Sequence, residues 1–270
     1  LFNNSEIITD EFVIQLNDKY GPFFKDFTRN VINIGLSDDP DFSYKLNSFV
    51  NDIDIKALQN DVITMYNDFT PYQVELEAAF KHYNYYFPKK PIPQITTYIS
   101  GFNYAITTDE NYLGIGLDMF LGANYKAYPQ LGIPQYKGDY MKKECVVPGA
   151  MTGWVATEFE LMETQADLLT EMIHQGKILY LLDALMPQTD NTLKISFTKA
   201  QMAWCENNEQ EIFFYFIDNN LLFTKETKEI LKYMGEAPFT QGFPEGSPGR
   251  VGHWLGWQIV KAYMAKNPTV

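Results

Sequence analysis

Apolar residues in the first third of the chain recur three and four positions apart, the spacing that lays them along one face of an α-helix. Thr9 to Tyr20 carries Phe12, Val13 and Leu16 on one face, behind the start signal Thr9-Asp10-Glu11. Gly21-Pro22 breaks that pattern. Phe23 to Leu36 reads as a second helix, ended by the acidic turn Asp38-Asp39-Pro40. Further helices are predicted over Asp41 to Phe49, Ile53 to Tyr66 and Pro71 to Asn84. The polar residues 1–10 read as a tether or frayed end.

The pattern changes after Phe87-Pro88. Ile95 to Ile99 is β-branched and aromatic and reads as a strand. Gly101 to Thr107 and Tyr112 to Leu117 supply two more, with Thr108 to Asn111 as the hairpin turn between them. Residues 118–153 read as a long ordered excursion with short helical turns. Gly153 to Met186 returns to the helical period, as a short piece followed by the longest helix of the chain. Thr198 is placed to cap a helix running through Trp204 and Glu209 to about Asn219, and Thr224 to cap a short helix ending at Met234. A Gly/Pro-rich loop fills 235–249, and Val251 to Lys266 is the last helix. The chain has no internal repeat and no low-complexity tract. The fold class is therefore α+β and mostly α-helical, with one small sheet over residues 94–118 beside the longest helix.

That longest helix carries the most suggestive chemistry. Thr170-Glu171-Met172-Ile173-His174 has the spacing of the HExxH zinc-peptidase motif with its first histidine replaced. In that motif two imidazoles one helical turn apart bind Zn²⁺, and the glutamate activates the metal-bound water. A threonine hydroxyl at position 170 is a poor zinc ligand. At about 100° per residue, Leu168, Leu169, Met172 and Ile173 share an apolar face, with Glu171 at its edge and His174 away from its centre. Ile178, Leu181, Leu182 and Leu185 then lie on the His174 side, so the later turns should be buried. A zinc site needs a third ligand. Glu209 is one candidate, on a helix expected to run antiparallel to the first, and His253 is a substitute. Arg250, at a loop-to-helix junction, could clamp an anion or pair with a nearby glutamate.

Composition narrows the classes. A net charge of −13 argues against a nucleic-acid partner and against adhesion to anionic lipid through a basic surface. Two cysteines, Cys145 and Cys205, are too few for a disulfide framework. No apolar run is long enough to span a membrane. The chain begins at Leu1 with no leader pattern, so a leader is expected upstream. No Gly-Lys-Ser/Thr phosphate loop and no GxSxG elbow is present.

Several segments together carry a family resemblance. These are Tyr20-Gly21-Pro22-Phe23-Phe24, Gly101-Phe102-Asn103-Tyr104, Ile115 to Gly122, Gly176 to Tyr180, Trp204 to Glu209 and Gly256 to Val260. Over nearly its whole length the chain resembles the gliding-motility lipoprotein GldB family of Bacteroidota, distantly similar to zincin-type metallopeptidases. The resemblance implies a cell-envelope lipoprotein, held in the outer membrane by an acylated cysteine upstream of residue 1. It implies a role in gliding motility or the secretion linked to it, with envelope proteins as partners. The expectation is a tether over 1–10 and a single domain over 11–270, helical to residue 90 and then a sheet with zincin-like helices. Thr170, Glu171, His174, Glu209, Arg250 and His253 are read as a vestigial cleft, with no catalytic residue and no cofactor. Zinc is the one metal to consider. The alternatives are a divergent zinc-dependent metallopeptidase, using Glu171 as base, and a peptide- or small-ligand-binding protein.

Overall fold

A computed structural model describes residues 7–269. The fold is α+β and mostly helical, with a single three-stranded sheet among the described residues. The chain forms two compact units. The first runs up to Glu77 and resumes over Asn84–Gly153; the second takes Ala78–Tyr83 and the chain from Trp154 onward. No helix of the described residues is long and apolar enough to cross a membrane.

The first unit opens with α1 (Asp10–Tyr20) and α2 (Pro22–Asp26). Thr9 caps α1 by accepting from the Phe12 N–H. Residues 1–6 of the expected tether lie outside the described residues. Ile8, which was counted with them, is buried, and Asn47 bonds both its N–H and its C=O. The helix expected over Phe23 to Leu36 is shorter. It widens into a π turn over Phe27–Val31, and left-handed backbone at Asn33 and Gly35 then ends it. Next come α3 (Phe42–Asn51), α4 (Ile53–Met65) and α5 (Thr70–Tyr86). Asp52 starts α4 by accepting from the N–H groups of Asp54 and Ile55. Val13, Leu16, Phe24, Phe42, Leu46 and Val50 pack with Ile8 into one core.

The sheet comprises β1 (Gln94–Tyr98), β2 (Ile106–Asp109) and β3 (Tyr112–Gly116), in the order β1-β3-β2. β2 and β3 form the expected hairpin, and β1 runs parallel to β3. The strand expected from Gly101 begins only at Ile106. The cause is Asp118, which is fully buried and folds residues 100–104 into a turn. Its carboxylate accepts from the Ser100 N–H (3.1 Å), the Ser100 hydroxyl (2.9 Å) and the Phe102 N–H (2.7 Å). The rest of the unit holds α6 (Ala127–Gln130), α7 (Gln135–Gly138) and the first part of α8 (Val146–Glu158), whose residues from Trp154 belong to the second unit. α8 starts before the expected Gly153, because Pro148 falls in its first turn, where a missing N–H leaves no bond unmade.

The second unit contains α9 (Leu168–Leu185), α10 (Asn191–Ile195), α11 (Lys199–Asn207), α12 (Glu209–Asp218), α13 (Thr227–Met234) and α14 (Val251–Lys266). Thr198 caps α11 in a reciprocal box with Gln201. The helix expected to continue to Asn219 breaks at Asn208, whose side-chain amide bonds the Trp204 carbonyl at 2.7 Å and closes α11. Thr224 does not cap α13; its carbonyl instead takes the N–H of Leu168 at the start of α9. Cys145, in the first unit, and Cys205, in the second, are both free and buried. Burial pushes the Cys145 thiol up to about 11.

α9 and α14 form the spine of this unit. Gly176 and Gly256 let the two backbones touch: a Cβ on Gly176 would sit 2.2 Å from the Gly256 oxygen, and one on Gly256 would sit 1.8 Å from the Met172 oxygen. Around that contact α9 buries Met172, Leu179, Leu182 and Leu185, and α14 buries Trp254, Leu255 and Trp257. Glycine costs a helix about 1 kcal/mol relative to alanine, so Gly256→Ala would stabilise an isolated helix. Here it forces the helices apart, and a net loss of roughly 2 kcal/mol or more is expected from overpacking. Urea unfolding measures this; an unchanged or raised midpoint would show that α14 can retreat without loss.

Candidate functional site

The residues singled out in sequence converge only in part. Thr170 is the third residue of α9, and its N–H is taken by the Asp167 side chain at 2.9 Å, so the motif-like pentad begins in the first turn. Glu171 and His174 are half-buried on the same helix. Burial pushes the Glu171 carboxyl above its usual range. Burial also lowers the His174 imidazole, with Lys177 acting in the same direction. Glu209 opens α12 and is exposed; α12 packs against α14.

Arg250 and His253 are held by the ends of helices. Arg250 adopts left-handed backbone (φ 56°), and its guanidinium donates to the Ile195 and Ser196 carbonyls, both at 3.3 Å, where α10 ends. A cation suits that position, because carbonyls at a helix C-terminus carry partial negative charge. These two bonds tie the loop before α14 to the end of α10. His253 Nε2 lies 3.1 Å from the Met234 carbonyl that closes α13. A carbonyl can only accept, so the proton is on Nε2. Burial drives this imidazole down to about 3, with Arg250 adding to the effect and the carbonyl bond opposing it. His82 does the same for α9, its Nδ1 lying 2.8 Å from the Leu185 carbonyl.

The proposed zinc set of His174, Glu209 and His253 is thus not assembled. Among the described residues no group of three or more His, Cys, Asp or Glu side chains is placed to hold a metal ion. Glu209 sits on the exposed start of another helix, α12, and the three side chains do not form such a group.

Two further arrangements escaped the sequence reading. The first is a half-buried polar cluster in the second unit. Asp183 accepts from Lys194 Nζ (2.8 Å) and from Trp257 Nε1 (3.0 Å), and Lys261 lies 4.1 Å over the Trp257 ring. A lone carboxylate inside the apolar run Ile178–Leu185 was its signal. The second is an apolar cleft of about 380 Å³ in the first unit. Tyr20, Phe23 and Phe27 form one wall, Val62 and Ile63 of α4 with Tyr66 just after it another, and Thr96 to Ile99 of β1 and its end a third. No lining side chain carries a charge. Phe23 stacks on Phe27 at 5.8 Å and meets Tyr98 and Tyr112 at 5.7 and 5.4 Å, which fixes the inner wall.

The segments that carried the family resemblance meet within each unit. Gly101 to Tyr104 folds against Asp118, and Gly176 against Gly256. A family model described as gliding motility protein GldB matches residues 1–270. The chain belongs to the GldB family. No curated protein and no solved structure matches it.

The lowered pKa of His253 has a consequence for stability. The folded value, about 3, lies below the ordinary 6.5, so the unfolded chain binds more protons between these limits. Stability from this group is complete above pH 6.5 and is lost as the pH falls toward 3. His253→Gln keeps an N–H donor but cannot titrate. Unfolding free energies from urea titrations between pH 7 and 4.5 should fall less steeply in this variant, by up to about 1.4 kcal/mol per pH unit. Equal slopes would mean that the imidazole is not held neutral.

Proposed function

We propose that this GldB-family chain is a non-catalytic lipoprotein of the cell envelope. In this reading it supports gliding motility, or the secretion and envelope assembly linked to it, by binding other envelope proteins. Its lipid anchor places it on the outer membrane, and the region around α9 is a degenerate zincin-like cleft kept as scaffold. Family membership supports the link to motility. The anchor and its membrane rest on the family alone.

The observation that carries the non-catalytic part is the use made of the candidate groups. Arg250 and His253 bond the carbonyls that end α10 and α13. Thr170 receives the cap of α9, and the Met172 oxygen seats Gly256. The pentad that resembles a peptidase motif thus serves helix initiation and helix packing.

The test is complementation of a strain that lacks the gene. The double variant Glu171→Gln, His174→Ala should restore gliding and linked secretion to within twofold of the unmodified chain. Loss of both functions, with the variant folded and normally located, would overturn the reading and point to chemistry at α9.

A further inference from the structure

Among the described residues β1 is an edge strand, hydrogen-bonded only to β3. In that parallel pair the Gln94 N–H goes to the Asn111 carbonyl, with Gln94 opposite Tyr112. The N–H and C=O groups of Gln94, Thr96 and Tyr98 therefore face β3, and those of Ile95 and Thr97 face away. The apolar cleft runs along that outer side. Thr96, Thr97, Tyr98 and Ile99 all line it, although successive strand side chains point to opposite faces. Three of these, Thr96 to Tyr98, are consecutive residues of β1, and only the edge of a strand can border a cleft in that way. Proteins commonly guard such edges with lysine or proline inside the strand; Gln94–Tyr98 contains neither.

We propose that this cleft binds an extended, uncharged peptide segment of a partner protein, which adds to β1 as a further strand. Three features fit that occupant. The outward backbone groups around Thr97 supply main-chain pairing, as in other strand-addition sites. The charge-free lining matches apolar side chains and disfavours charged ones. At about 30 Å³ for each water-sized group, 380 Å³ holds roughly a dozen of them, which is one phenylalanine and one aliphatic side chain. The inference deepens the binding role proposed above by naming the class of partner. It fails or stands separately from the complementation result, because its readout is peptide binding.

The experiment measures fluorescence anisotropy of the full chain with an end-blocked, fluorescein-labelled Ser-Thr-Val-Phe-Val-Thr-Ser peptide. Saturable binding is expected. N-methylation of the peptide backbone at alternate residues should weaken it at least tenfold for one set of positions and less than threefold for the other. Thr97→Pro removes an outward N–H from an edge strand, where proline is tolerated, and should weaken binding at least tenfold. Ile63 is half exposed at the lip, so Ile63→Asp leaves the core intact and should do the same. No saturable binding, or equal affinity for every N-methylated peptide, would overturn the proposal. So would displacement by dodecanoate with no effect of Thr97→Pro, which would make the cleft a site for small apolar molecules.

Discussion

The second unit depends on two backbones being allowed to touch. Where Gly176 meets Gly256, no side chain separates α9 from α14, and the neighbouring Leu179, Leu182, Trp254 and Trp257 close around the contact. This packing fixes the register of everything attached to either helix. Asp183 on α9 is brought to Trp257 on α14, and Lys194 completes the pair from α10. Lys194 is buried while Asp183 is partly exposed, so loss of Asp183 would leave a buried cation without this partner. The cluster therefore works as a lock on that register rather than as a source of stability.

The first unit is organised by a buried charge. Asp118 is fully buried, and desolvation raises its pKa against the opposing pull of three hydrogen-bonded donors. Burying a carboxylate costs several kcal/mol unless donors surround it. The loop 100–104 supplies them, and so its shape is set by the acid. Tyr128 extends the arrangement, donating to the Asp118 carbonyl while accepting from the Leu121 N–H. The result is a rigid floor from which β3 and the aromatic wall of the cleft rise.

Helix positions were legible in the sequence wherever a capping residue and a 3.6-residue period coincided, as at Thr9 and Thr198. Errors fell where one side chain overrode local propensity. Asn208 split a helix, Asp118 delayed a strand, and left-handed backbone at Asn33 ended a helix early. The candidate site was less legible. Helical spacing correctly put Glu171 and His174 on one helix, but it could not show that His253 and Arg250 bond helix-end carbonyls. Those partners lie 19 and about 55 positions away in sequence. The cleft was invisible for the same reason, since its walls come from α1, α2, α4 and β1, and no local pattern marks their meeting.

The α9–α14 contact also has a meaning in time. α9 is made with an apolar surface that only the last helix of the chain covers, and all of residues 186–250 must be synthesised first. Contacts this distant in sequence form slowly and leave hydrophobic surface open meanwhile. A growing or translocating chain therefore carries an uncovered, aggregation-prone helix until its C-terminus is free. Loss of the final helix would harm this protein far more than its position at the end of the chain suggests.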